Sequence, residues 1–117
     1  MPIVLERTED DIDILHIEGS LDVPSLPNLR RVFGTLLDHD GSPRVLLDLQ
    51  QVDFIGSPAI GCLIEFHRDL LSRSGRLALL RVPSKMMQML ELVKLTKVYF
   101  STFESQRNAV EFLMGEP

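Results

Sequence analysis

Ser57 lies where an apolar run, Val45-Leu46-Leu47-Asp48-Leu49 continued by Val52-Asp53-Phe54-Ile55, hands over to a stretch with helical periodicity. A hydroxyl at that junction has two readings. Serine is a favoured helix cap and proline a favoured first helical residue, so Ser57-Pro58 reads as cap and first position. The other reading is chemical. A hydroxyl facing solvent at a helix start is a candidate for phosphorylation, because the helix dipole and the N–H groups of Ala59 and Ile60 would favour a phosphate there. The phosphate would add roughly −1.5 to −2 charge without melting the helix. It would then act on a partner surface rather than on the fold.

The remaining reactive residue types do not assemble into a site. His16, His39 and His67 have no His or Cys neighbour at metal-ligand spacing, which argues against a metal centre. His67 falls on an apolar stripe and reads as a packed or boundary histidine. Gly56-Ser57-Pro58-Ala59-Ile60-Gly61 shares with nucleotide loops only its glycines at a strand-to-helix turn. There is no Walker-type lysine, no G-x-G-x-x-G, and no G-x-S-x-G context around Ser57. Cys62 is the single cysteine, placed among apolar neighbours of a helix, and it cannot form an internal disulfide. No enzyme class and no cofactor is indicated.

Composition sets the frame for these residues. A chain of 117 residues accommodates one compact domain, and 44% hydrophobic residues supply a core. Twelve Lys+Arg against 17 Asp+Glu give a net charge of −5, and with no Trp and one Tyr the chain is a poor nonspecific nucleic-acid binder. The start, Met1-Pro2-Ile3-Val4-Leu5-Glu6, lacks the basic and apolar regions of a signal peptide. No apolar run approaches the roughly 18 residues of a membrane span. The expectation is a cytoplasmic protein.

Positioning Ser57 requires an ordered set of elements. Ile3-Val4-Leu5 and Ile12-Asp13-Ile14-Leu15-His16-Ile17 read as a hairpin turning at Glu9-Asp10-Asp11, the second strand ended by Gly19. Ser25 to about Asp38 carries Leu26, Leu29, Val32, Phe33, Leu36 and Leu37 at helical spacing. The apolar run at 45–49 reads as a strand covered on both faces. A second helix follows Ser57 and ends at Ser74-Gly75. Residues 76–82 form a strand, a third helix starts at Pro83-Ser84 with Met86, Met87, Leu90 and Val93, Val98-Tyr99-Phe100 is a short strand, and Ser105 to Met114 is a last helix. This alternation predicts an α/β fold, with a mainly parallel mixed sheet of about five strands and about four helices in one domain, 1–117.

The same residues resemble a family. Val45 through Gly61 is similar to the signature of STAS domains, in which an apolar strand with an Asp leads to Asp-Ser-Ser-Gly-Leu-Gly at a helix start. Gly19-Ser20-Leu21-Asp22 resembles the family's Gly-x-Leu-Asp, Leu90-Glu91-Leu92-Val93-Lys94-Leu95 its Leu-Glu-Leu-Thr-Gly-Leu, and Ser105 to Ala109 the start of its last helix. The resemblance implies a non-enzymatic anti-sigma factor antagonist. Such a protein binds an anti-sigma factor of the serine-kinase type and is phosphorylated by it at the residue matching Ser57. A PP2C-type phosphatase then restores binding. It also places Asp22 beside that serine; read from the residues alone, Asp22 is a cap or Asx-turn residue before the first helix. Asp22, Gly56, Ser57, Pro58, Ala59, Cys62 and Phe66 are the expected partner-binding residues. Gly56, Pro58 and Ala59 depart from the family's Asp, Ser and Gly. The alternative reading is a STAS scaffold subunit of a signalling assembly or a lipid-transport ABC complex that is not controlled by phosphate.

Overall fold

The computed structural model describes residues 3–38, 41–92 and 100–115. In order these form β1 (Ile3–Arg7), β2 (Ile12–Leu21), a 3-10 turn (Val23–Ser25), α1 (Leu26–Leu37), β3 (Arg44–Ile55), α2 (Ser57–Ser72), β4 (Arg76–Leu80), α3 (Ser84–Leu92), β5 (Ser101–Phe103) and α4 (Gln106–Met114). The five strands make one sheet in sequence order. β1 is antiparallel to β2, and every later pair is parallel. The mixed α/β sheet expected from the alternation of elements is therefore present. No helix among the described residues is long and apolar enough to cross a membrane.

Strand alternation sorts the core onto two faces. Leu15, Ile17, Val45, Leu47, Leu77 and Leu79 meet the apolar sides of α1, α2 and α3 on one face. Ile12, Ile14, Leu46, Ala78 and Leu80 meet Ala109 and Leu113 of α4 on the other. α1 and α2 lock together through Phe33 and Phe66, whose rings stack 3.9 Å apart and 3° from parallel. α4 is fastened at both ends. The Ser105 hydroxyl accepts the Asn108 N–H at 3.2 Å, and Arg76 donates to the Phe112 carbonyl at 2.6 Å while lying 3.9 Å over its ring.

β3 runs much further than the apolar core of its sequence, and the pairing explains how. His16 faces Asp48 but Glu18 faces Gln51, and Gly19 faces Val52 but Ser20 faces Phe54. β3 thus gains one residue over β2 at each of two bulges. Each extra residue resets the inward phase, so Leu49, Val52 and Ile55, three apart, all enter the same core cluster. The strand ends against α2, and Ser57 is delivered at the C-terminal edge of the sheet.

One expected element falls mostly outside the described residues. The last described strand is Ser101–Phe103, paired with Ala78–Leu80 of β4; of the expected strand 98–100 only Phe100 is described. Val98 and Tyr99 lie outside the described residues, as do Val93, Lys94, Leu95 and His39. Phe100 precedes the strand and is buried in the main core.

Candidate functional site

The turn that presents Ser57 is held by backbone bonds. Gly56 has extended geometry, φ −94° and ψ 162°, and stands as the cap of α2. Its carbonyl accepts the N–H of Ala59 at 3.0 Å and of Ile60 at 3.2 Å, and its own N–H donates to the Leu21 carbonyl at 2.9 Å. That last bond ties the residue before Asp22 to the residue before Ser57, so the ends of β2 and β3 form one surface. Asp22 is half-buried and its carboxylate accepts the Ser25 hydroxyl at 2.8 Å. It stands at the cap position of the 3-10 turn without a capping bond from its side chain.

Two expectations about this turn are corrected. Ser57 is the first residue of the helix and not its cap, with Pro58 second. A helix cap typically has extended backbone, and here Gly56 supplies it. Nor are the Ala59 and Ile60 N–H groups free to hold an anion, since the Gly56 carbonyl takes both. Pro58 has no N–H. In the first turn, the Ser57 N–H alone remains outside the helical bonding pattern. Ser57 itself is exposed, and among the described residues its hydroxyl has no hydrogen-bond partner. The charged side chains closing the ends of β2 and β3 are the acids Asp22 and Asp53, the latter accepting the Ser20 hydroxyl at 3.0 Å.

The other expected contact residues divide by burial. Pro58 is exposed and Gly56 half-buried, beside Ser57. Ala59, Cys62 and Phe66 are 0%, 4% and 2% exposed, so the expectation that they present contact atoms at the surface is corrected. They sit on the stripe of α2 that covers the sheet and α1, and that stripe is wide because a helix over a sheet buries neighbouring rows as well. Burial pushes the Cys62 thiol up from its ordinary pKa, which keeps it protonated. Cys62 and Phe66 floor a shallow groove between α1 and α2 rimmed by Arg30, Glu65 and Asp69.

Sequence reasoning passes over two residues at this edge. Phe54 is 54% exposed and Val23 63% exposed, large apolar side chains two residues before Gly56 and two residues after Leu21, the residues joined by that backbone bond. The signal for Phe54 was present: once Leu49, Val52 and Ile55 are taken as the inward set, Phe54 is out of phase with them. Beside it a cavity of about 200 Å³ opens between the end of β3 and α3.

A second polar cluster crosses the open part of the α4 face. His16 meets Asp48 through Nδ1 at 2.9 Å and Glu6 through Nε2 at 3.0 Å, and Arg81 donates to Asp48 at 3.4 Å. Among the described residues no group of His, Cys, Asp and Glu has the arrangement of a metal site.

Comparison with known proteins decides the family. The STAS domain family model matches residues 3–109. This chain belongs to the STAS family. Solved structures agree on the fold. A candidate anti-sigma factor antagonist from Thermotoga maritima superposes with a TM-score of 0.85 at 20% identity, over 95% of this chain and 93% of that one. An anti-sigma factor antagonist from Mycobacterium paratuberculosis gives 0.82 at 20% identity, over 97% and 94%. The Bacillus cell fate determinant SpoIIAA in its phosphorylated form gives 0.73 at 17% identity, over 95% and 98%.

Proposed function

We propose that this STAS protein is a cytoplasmic anti-sigma factor antagonist, which binds an anti-sigma factor of the serine-kinase type and is released when that kinase phosphorylates Ser57. A PP2C-type phosphatase restores the binding form. The observation that carries this reading is the exposed Ser57 hydroxyl, held at the first turn of α2 directly after the Gly56–Leu21 bond that joins the ends of β3 and β2, the strand ends that carry Asp53 and Asp22. A phosphate added there brings charge to a rim already acidic. A partner packed over it would have to bury a dianion among carboxylates, which costs affinity unless the partner supplies cations. The protein works by occupying a partner rather than by catalysis.

A second reading draws on the same turn. Gly56 offers no carboxylate to orient the serine hydroxyl, Pro58 offers no N–H, and the next two amides are already engaged. A constitutive scaffold would have this turn without using it as a switch. Incubation with ATP and the serine-kinase anti-sigma factor of the same genome separates the two. The switch predicts one phosphate, on Ser57, and a complex at least tenfold weaker, about 1.4 kcal/mol. It also predicts that Ser57→Asp weakens binding without ATP. Tight binding with no phosphate and no effect of Ser57→Asp would assign the scaffold role.

A further inference from the structure

We infer that the cavity between the end of β3 and α3 receives one large apolar side chain of the protein partner, so that the contact surface extends from the switch turn onto α3. The inference rests on the proposed function and adds to it the place and chemistry of an anchor. The cavity is walled by Val52, Phe54, Ile55, Pro83, Met86 and Met89. Its size selects the occupant. Pockets for small-molecule ligands generally span about 300–1,000 Å³, whereas a dry apolar cavity of about 150 Å³ takes a single benzene ring. At about 200 Å³ this cavity matches one phenyl- or leucine-sized group. Met86 and Met89 give it walls that adapt to the shape of such a group.

Its position ties it to the switch. The Phe54 ring lines the cavity on one side, and its Cε2 lies 3.6 Å from where a Gly56 side chain would begin. Phe54 is more than half exposed, at 54%, and would gain cover from the same partner. Buried aromatic and aliphatic anchors in pockets dominate the binding energy of protein interfaces. The polar lining residues refine the partner's chemistry. The Asp53 carboxylate already accepts the Ser20 hydroxyl. Among the described residues Lys85 has no carboxylate within ion-pair distance. The anchor side chain is therefore expected to have an acidic neighbour that meets Lys85.

Calorimetric titration with the serine-kinase-type anti-sigma factor, on the unphosphorylated full chain, tests this. Phe54→Ala and Met89→Glu should each weaken the complex at least tenfold while melting as cooperatively as the wild type, and Leu71→Ala, on the exposed side of α2, should bind like the wild type. In parallel, the ¹³C-methyl resonances of Met86 and Met89 should shift when the partner is added to the wild-type protein, a readout that needs no variant to fold. If wild-type protein binds but the folded variants bind equally tightly, or the methionine methyls do not move, the cavity inference is overturned while the partner reading stands. If the wild-type protein does not bind that kinase at all, the partner reading falls and the inference with it. Self-association abolished by Phe54→Ala, or a small apolar molecule retained in native mass spectra, would give the cavity to a different occupant and equally overturn the inference.

Discussion

Gly56 occupies backbone that any residue can adopt. Its φ of −94° is ordinary, and a Cβ there would meet Phe54 Cε2, the Leu21 carbonyl and Pro58 Cδ at 3.6–3.7 Å, which are normal contacts. Nothing steric excludes the aspartate that the STAS pattern has at this position. Gly56→Asp should raise stability by about 0.4–1 kcal/mol, by restricting the unfolded chain; it gains no side-chain cap, because Pro58 has no N–H and the Gly56 carbonyl already takes the Ala59 and Ile60 N–H groups. Thermal melting should show this as an upward shift of a few degrees; a lowered midpoint would mean that repulsion from Asp22 and Asp53 outweighs that gain. The same residue shows why the site was only partly readable beforehand. Ser57 and its place at a strand-to-helix junction follow from the order of residues. Which residue is the cap does not, because it depends on which of two adjacent residues takes extended backbone. The preference of serine for caps points one residue too far along.

At the scale of the elements, periodicity located the helices well and β3 poorly. α1, α2 and α4 put their apolar residues where the 3.6-residue repeat places them. β3 conceals its second half, because two bulges turn the two-residue alternation of a strand into the three-residue spacing of Leu49, Val52 and Ile55. Apolar composition alone also favours 98–100 over Ser101–Phe103 for the last strand, yet among the described residues it is the mixed Ser101–Phe103 that pairs with β4. The end of α2 is a third case. A Ser-Gly pair suggests a glycine in left-handed backbone, but Ser74 takes that conformation with φ 57°. Gly75 is needed for a different reason: any Cβ there would collide with the Pro43 carbonyl, which accepts the Arg76 N–H at 3.0 Å and so sets the start of β4 against the start of β3. Gly75→Ala should cost about 1–3 kcal/mol through this overpacking, seen as a lower urea midpoint at unchanged slope. Stability equal to wild type would show that the loop before β3 yields without penalty.

For the molecule as a whole, two histidines give folding opposite responses to pH. His16 bridges Glu6 of β1 and Asp48 of β3, and these hydrogen bonds, Glu6 foremost, raise its pKa above 6.5 against a smaller desolvation effect. The folded state then holds the proton more tightly than the unfolded chain does. Its stabilisation is complete below pH 6.5 and drains away as pH rises through the raised value. His67 is buried beside Phe100, and desolvation lowers its pKa below 6.5. Its neutral form belongs to the fold, so stability falls as pH drops below 6.5. NMR titration should place His16 above 6.5 and His67 below it, and the stability lost in His16→Gln should shrink from pH 6 to pH 8. A loss that grows over that range would refute the bridge. The antiparallel run of β1 has a separate consequence for experiments on this protein. Ile3 pairs with Ile17, only four residues, or about 13 Å, short of Leu21, whereas α4 closes near Arg76 at the opposite end of the sheet. A tag or fused module ahead of Ile3 would therefore crowd the Ser57 turn and blunt any binding assay, and one attached after α4 would leave it clear.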